Sequence, residues 1–115
     1  MKDLTLKFHL SDSEYFTALR LVAGSVCTNA DLDIDALEDF KVCITESALI
    51  LKNCGFEIVE ITFSYIDGVQ CTVQGLGGNS KQADNTLSLA LISALVSVCD
   101  IKENQGIIER VTLKV

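Results

Sequence analysis

The stretch VEITFSYIDGVQCTVQ, Val59 to Gln74, decides the fold of this 115-residue chain. Val59, Ile61, Phe63 and Tyr65 alternate with Glu60, Thr62 and Ser64, and Val69, Cys71 and Val73 alternate with Gln70, Thr72 and Gln74. A repeat of two sends successive side chains to opposite faces, so each run predicts a strand with one apolar and one polar side. Asp67-Gly68 between them predicts a two-residue hairpin turn. Such a hairpin must bury its apolar side under another layer, and the flanking sequence supplies helices to do so.

Upstream, Asp35 to Asn53 carries Leu37, Phe40, Ile44 and Leu51 at helical spacing. Asp33 or Asp35 is placed to cap its start, and Gly55 to end it in a left-handed turn. Ser11 and Glu14 form a capping box for an earlier helix reaching about Cys27, with Phe16, Leu19, Val22, Ala23 and Val26 toward the core. Leu4, Leu6, Phe8 and Leu10 alternate with Thr5, Lys7 and His9, which predicts a first strand with His9 on its polar side.

Downstream, Gly75 to Asn85 reads as a loose, flexible segment. A third helix is expected from about Thr86 to about Val98. A last hairpin then pairs Cys99 to Glu103 with Ile107 to Val115 around Asn104-Gln105-Gly106, setting Ile107, Glu109, Val111, Leu113 and Val115 opposite Ile108, Arg110, Thr112 and Lys114. Strands with one polar face require all helices on the same side of one sheet.

The bulk properties narrow the function. With 49% hydrophobic residues the chain is expected to form one domain, residues 1–115, around one core. Its net charge of -7 disfavours direct contact with nucleic acid or an anionic membrane surface. The longest apolar run, Leu87 to Cys99, is too short to span a bilayer and is broken by Ser88, Ser93 and Ser97. The N-terminus lacks the pattern of a secretory signal, so a cytoplasmic protein is expected. Cys27, Cys43, Cys54, Cys71 and Cys99 form no CxxC pair or cluster with the single His9, and read as reduced, buried thiols rather than metal ligands.

Two segments, LEDFKVCITESALILKNCG (Leu37 to Gly55) and NTLSLALISALVSVCDIKENQGIIERVTLKV (Asn85 to Val115), together with the element order, resemble the Bergerat-fold (GHKL) ATPases. Within them the likeness is to the small bacterial RsbW-like anti-sigma factors that are also serine-protein kinases. The resemblance implies an α+β, two-layer α/β sandwich, one mixed, mostly antiparallel sheet with three helices on one face, the histidine kinase-like ATPase fold.

The same resemblance implies where nucleotide would bind. Glu46 falls at the glutamate that polarises the attacking hydroxyl. One turn on, at Ile50, the family has an asparagine that reaches magnesium, and an aliphatic side chain offers a hard cation no oxygen. Gly75-Leu76-Gly77 falls where a strand should end in the aspartate that accepts from the adenine amino group. A shift by one residue would offer Gln74 instead. Thr86-Leu87-Ser88 stands where the family has a Gly-Leu-Gly turn around phosphate. The would-be lid, Gly78 to Asn85, is short, with Lys81 its only cation.

Glu46, Ile50, Gly75, Gly77, Thr86 and Ser88 are therefore the expected positions of a degenerate nucleotide site. Glu46 is its catalytic relic, with no metal and no cofactor. The resemblance implies a protein partner such as a sigma factor or an anti-sigma antagonist, and a homodimer formed through the N-terminal part of the fold. Two functions stay open. One is a non-catalytic regulator that binds protein. The other is an ATP- and magnesium-dependent serine-protein kinase with atypical ligands. A remodelled pocket for another small molecule is a third possibility.

Overall fold

The computed structural model describes residues 3–65 and 68–115. Its elements run β1 (Leu4–His9), α1 (Glu14–Asn29), α2 (Ile34–Asn53), β2 (Ile58–Tyr65), β3 (Val69–Leu76), α3 (Thr86–Leu95), β4 (Val98–Asn104) and β5 (Ile107–Lys114). The expected order of elements is therefore present, and the expected turn at Asp67-Gly68 involves a residue outside those described. The strands make one sheet in the order β1-β2-β3-β5-β4. Every pairing is antiparallel. β3 and β4, joined through α3, run the same way, but β5 lies between them, so no parallel ladder forms among the described residues.

The period of two sorts the two faces as the sequence requires. Val59, Ile61, Phe63, Cys71, Val73, Val111 and Leu113 are fully buried. Their neighbours make transverse rows on the open face: Thr5, Thr62, Thr72, Thr112 and Asp100 in one, Lys7, Glu60, Gln74, Arg110 and Lys102 in the next. Thr5 and Thr62 share a hydroxyl hydrogen bond of 3.1 Å, and Lys7 lies 4.0 Å from Glu60. Cross-strand pairs of this kind contribute roughly 0.2–1 kcal/mol each.

α2 is the centre of the helical layer. It packs on β3 and β5 beneath and on α1 and α3 at its flanks. Its burial accordingly extends beyond the expected stripe: Phe40, Cys43, Ile44, Ser47, Ala48, Ile50 and Leu51 all have 0–1% exposure. Asp33 caps its start by accepting from the Ala36 amide at 2.8 Å. At its end Gly55 takes φ 86°, with Gly55 N bonded to Lys52 O and Phe56 N to Leu51 O. This pair of bonds closes the helix with a left-handed residue, for which glycine carries no steric penalty. Asp31, at φ 57°, plays the same part at the end of α1.

Four local expectations are corrected. The Ser11–Glu14 capping box does not form: α1 starts at Glu14 after Ser13, with no side-chain cap, because successive backbone turns from His9, Asp12 and Ser13 already satisfy the first amides. α3 ends at Leu95 rather than near Val98, since Val96 turns extended to lead into β4 and a continuous apolar run hides that boundary. Ile108, expected on the polar side, is buried at 4% exposure. A register shift opposite Lys102 and Glu103 inserts Glu109 as an extra residue in β5 and reverses the alternation there. Tyr65, expected inward, is 39% exposed at the end of β2.

The five cysteines are free, and only Cys99 is not fully buried. Burial pushes the Cys27 thiol up to about 11, with Lys41 partly opposing it, and likewise the Cys43 thiol up to about 11. Burial raises Cys71 further still. A thiol held above its ordinary range is a poor nucleophile near neutrality. Because the other four thiols are buried, iodoacetamide at pH 8 should label Cys99 alone in the folded protein and all five cysteines in denaturant, read by mass spectrometry.

Candidate functional site

The six expected positions are distributed along the seam between α2 and α3, near the end of β3, where Gly75 lies, and in the loop after it, where Gly77 lies. On α2, Cys43, Ser47, Ile50 and Cys54 form one inward stripe, and all four are buried at 0–1% exposure. The Ser47 hydroxyl donates to Cys43 O at 2.7 Å, and the Cys43 thiol faces Ile92 O of α3 at 3.9 Å. Three residues after Cys43, at the edge of the seam, Glu46 accepts a 2.8 Å hydrogen bond from the Ser88 hydroxyl. The structure thus brings Glu46 and Ser88 together directly and encloses Ile50 beside them.

The remaining positions lie apart from that pair. Gly75 sits under the Phe56 ring, and a Cβ there would meet ring carbon at 2.6 Å. A carboxylate at residue 75 has no space in this arrangement. Gln74, the alternative base contact, points to the open face, where its amide donates to Gly75 O and Glu109 O at 3.1 Å each. It is thereby assigned to the extra residue of β5 and lies across the sheet from Glu46.

The segment expected to be loose is anchored. Gly77 and Gly78 adopt φ 67° and 68°, and a Cβ at Gly78 would come within 2.3 Å of Gly55 O. Lys81 N donates to Cys54 O at 2.7 Å. The glycines here allow two backbones to touch rather than allowing the loop to move.

At the start of α3, Thr86 presents its amide and hydroxyl to one oxygen of Asp84, at 3.0 and 2.7 Å. The hydroxyl bond first, and the amide bond second, hold the Asp84 carboxyl below its ordinary value. A carboxylate thus occupies the partial positive end of the helix where an anionic ligand would otherwise be favoured. Asn85 is buried; its amide nitrogen donates to Cys54 Sγ at 3.5 Å while its Oδ1 lacks a partner among the described residues.

Sequence reasoning missed Phe56, Asp84 and Asn85. Asp84 was legible in principle, because an aspartate two residues before a helical threonine is a capping pattern. The contact of Phe56 with Gly75 joins residues 19 positions apart and leaves no periodic trace.

Among the described residues, surface cavities of 380, 350 and 380 Å³ lie between β1 and α1, between the start of α2 and the end of α3, and between α1 and α2. Of the six expected positions only Glu46 lines any of these, on the α1 side with Arg20 and Lys41. Among the described residues no group of three or more His, Cys, Asp or Glu is arranged to hold a metal. No helix among the described residues is long and apolar enough to cross a membrane.

No family model matches the chain, and no curated protein matches its sequence. Its structure is similar to that of the RsbU and RsbW domains of Rv1364c from Mycobacterium tuberculosis, with a TM-score of 0.73 and 16% identity. The match covers 98% of this chain and 32% of that one, so the chain spans about a third of the length of its structural neighbour. At that identity the likeness establishes a shared fold, in agreement with the α+β architecture of one sheet and three helices expected from the sequence.

Two outcomes follow from these contacts. Gly78→Ala adds a strained left-handed alanine and a backbone clash, and is expected to lower stability by about 2 kcal/mol or more in urea unfolding. In an NMR titration the Thr86 amide should report a carboxyl midpoint below 3.8 for Asp84. Because that midpoint is lower than in the unfolded chain, the cap's contribution is present above the unfolded value and disappears as pH falls through the folded one.

Proposed function

We propose that this chain is a single-domain, bacterial, cytoplasmic regulator with an anti-sigma-like scaffold, which binds a protein partner and does not transfer phosphate. The partner class is a sigma factor or an anti-sigma antagonist. The observation that carries the reading is the seam itself: Glu46 is engaged by Ser88 at 2.8 Å, and Ile50 beside it is 0% exposed. A general base must reach its substrate's proton, and a magnesium ligand must offer oxygen to the cation. Ile50 offers no oxygen to a cation, and one of the two carboxylate oxygens of Glu46 is engaged by Ser88.

The Phe56 contact at residue 75 and the Asp84 carboxylate at the start of α3 oppose base and phosphate binding independently. Each missing or opposed polar contact costs about 1–3 kcal/mol. At ~1.4 kcal/mol per tenfold, three of them carry a micromolar site to millimolar or beyond. Free buried thiols suit a reducing compartment. A homodimer through β1 and α1 belongs to the same reading, supported by the apolar groove that Leu6, Phe8, Ala18 and Val22 line there.

Calorimetric titration of ATP, with and without magnesium, tests the proposal. No saturable binding is expected up to ~1 mM nucleotide, and complexes with purified sigma factors should form equally well with and without ATP. Micromolar, magnesium-dependent ATP binding would overturn it.

A further inference from the structure

The sequence of α3, TLSLALISAL, holds no charged residue and is apolar around most of its circumference. Helices of that composition belong in interiors. Here only Ile92 is fully buried, while Leu87 is 86% and Leu91 39% exposed. Leu87, Leu91 and Leu95 succeed one another at intervals of four, which places them in one stripe along the helix. At its far end Leu95 and Val96 floor a groove of 350 Å³ against α2, and Asp33, Asp35 and Asp39 stand on its rim. Neither Asp35 nor Asp39 has an ion-pair partner among the described residues.

We propose that this stripe and groove dock an amphipathic helix of a protein partner, with leucine-like residues on one side and lysine or arginine along its flank. The inference rests on the protein-binding reading above and specifies the segment that would be bound. Apolar contact along α3 supplies affinity, and the carboxylates fix orientation and reject acidic competitors. A second copy of the chain is disfavoured at this face, because it would bring the same aspartates together. An anionic membrane surface meets the same repulsion, in a chain whose net charge is -7.

The experiment measures fluorescence anisotropy of a labelled leucine/lysine amphipathic peptide against the full chain, beside a leucine/glutamate peptide with the same stripe. Saturable binding of the first, and binding of the second at least ~10-fold weaker, are expected. Leu87→Ser with Leu91→Ser should weaken the first at least ~10-fold in a chain that still unfolds cooperatively, since Leu87 is 86% and Leu91 39% exposed. Asp35→Asn with Asp39→Asn should weaken it about 3-fold or more and flatten its salt dependence. Leu21→Ser, at a site on α1 with 71% exposure, should leave it unchanged.

Equal binding of the two peptides, or unchanged binding by the double serine variant, overturns the proposal. So does a dimer in sedimentation that Leu91→Ser dissociates, which would assign the face to a second copy. None of these outcomes alters the nucleotide titration, so the two readings fail separately.

Discussion

The enclosure of α2 on three sides is the constraint from which the rest of the structure follows. A helix that meets the sheet beneath and a neighbour on each flank must present apolar or internally bonded side chains over most of its circumference. Phe40, Ile44 and Leu51 do so toward the sheet, and Cys43, Ser47, Ile50 and Cys54 do so on the stripe that meets α3 and the loop before it. Nucleotide chemistry on this scaffold would require part of that flank to be polar and open. In this chain Cys43, Ser47 and Ile50 are packed into that seam at 0% exposure.

The ends of α2 transmit the same constraint to the loops. Gly55 stops the helix, and the backbone of Gly78 and Asn79 then passes so close that a Cβ at Gly55 would meet Asn79 O and one at Gly78 would meet Gly55 O. The segment before α3 is thereby laid across the C-terminal turn of α2, with Lys81 N bonded to Cys54 O. Asp84 in turn caps α3 from within the chain. The segment before α3 is thus part of the packing around α2.

Charge is divided between the two sides of the molecule. The open sheet face carries Lys7, Lys102, Arg110 and Lys114 against Glu60 and Asp100, although the chain as a whole is at -7. The acidity is therefore concentrated elsewhere, notably where α2 begins beside the exposed leucines of α3. Apolar surface next to unpaired carboxylates is a combination that favours a basic, amphipathic partner over both a copy of the chain and a membrane.

The sequence by itself determined what depends on neighbours along the chain. The period of two in Val59 to Gln74 set which sheet face is covered, the Asp33 and Gly55 signals bounded α2, and the element order led to the architecture. Only the tertiary structure decided what depends on residues far apart in sequence. Ser88 against Glu46 and Phe56 over Gly75 depend on how elements pack, and the burial of Ile108 depends on a register shift between β4 and β5. Local propensity fixes backbone conformation within a few residues, whereas access to a side chain is set by whichever distant surface packs against it. The expected site positions could therefore be placed on their elements from sequence, but whether they share an opening could not.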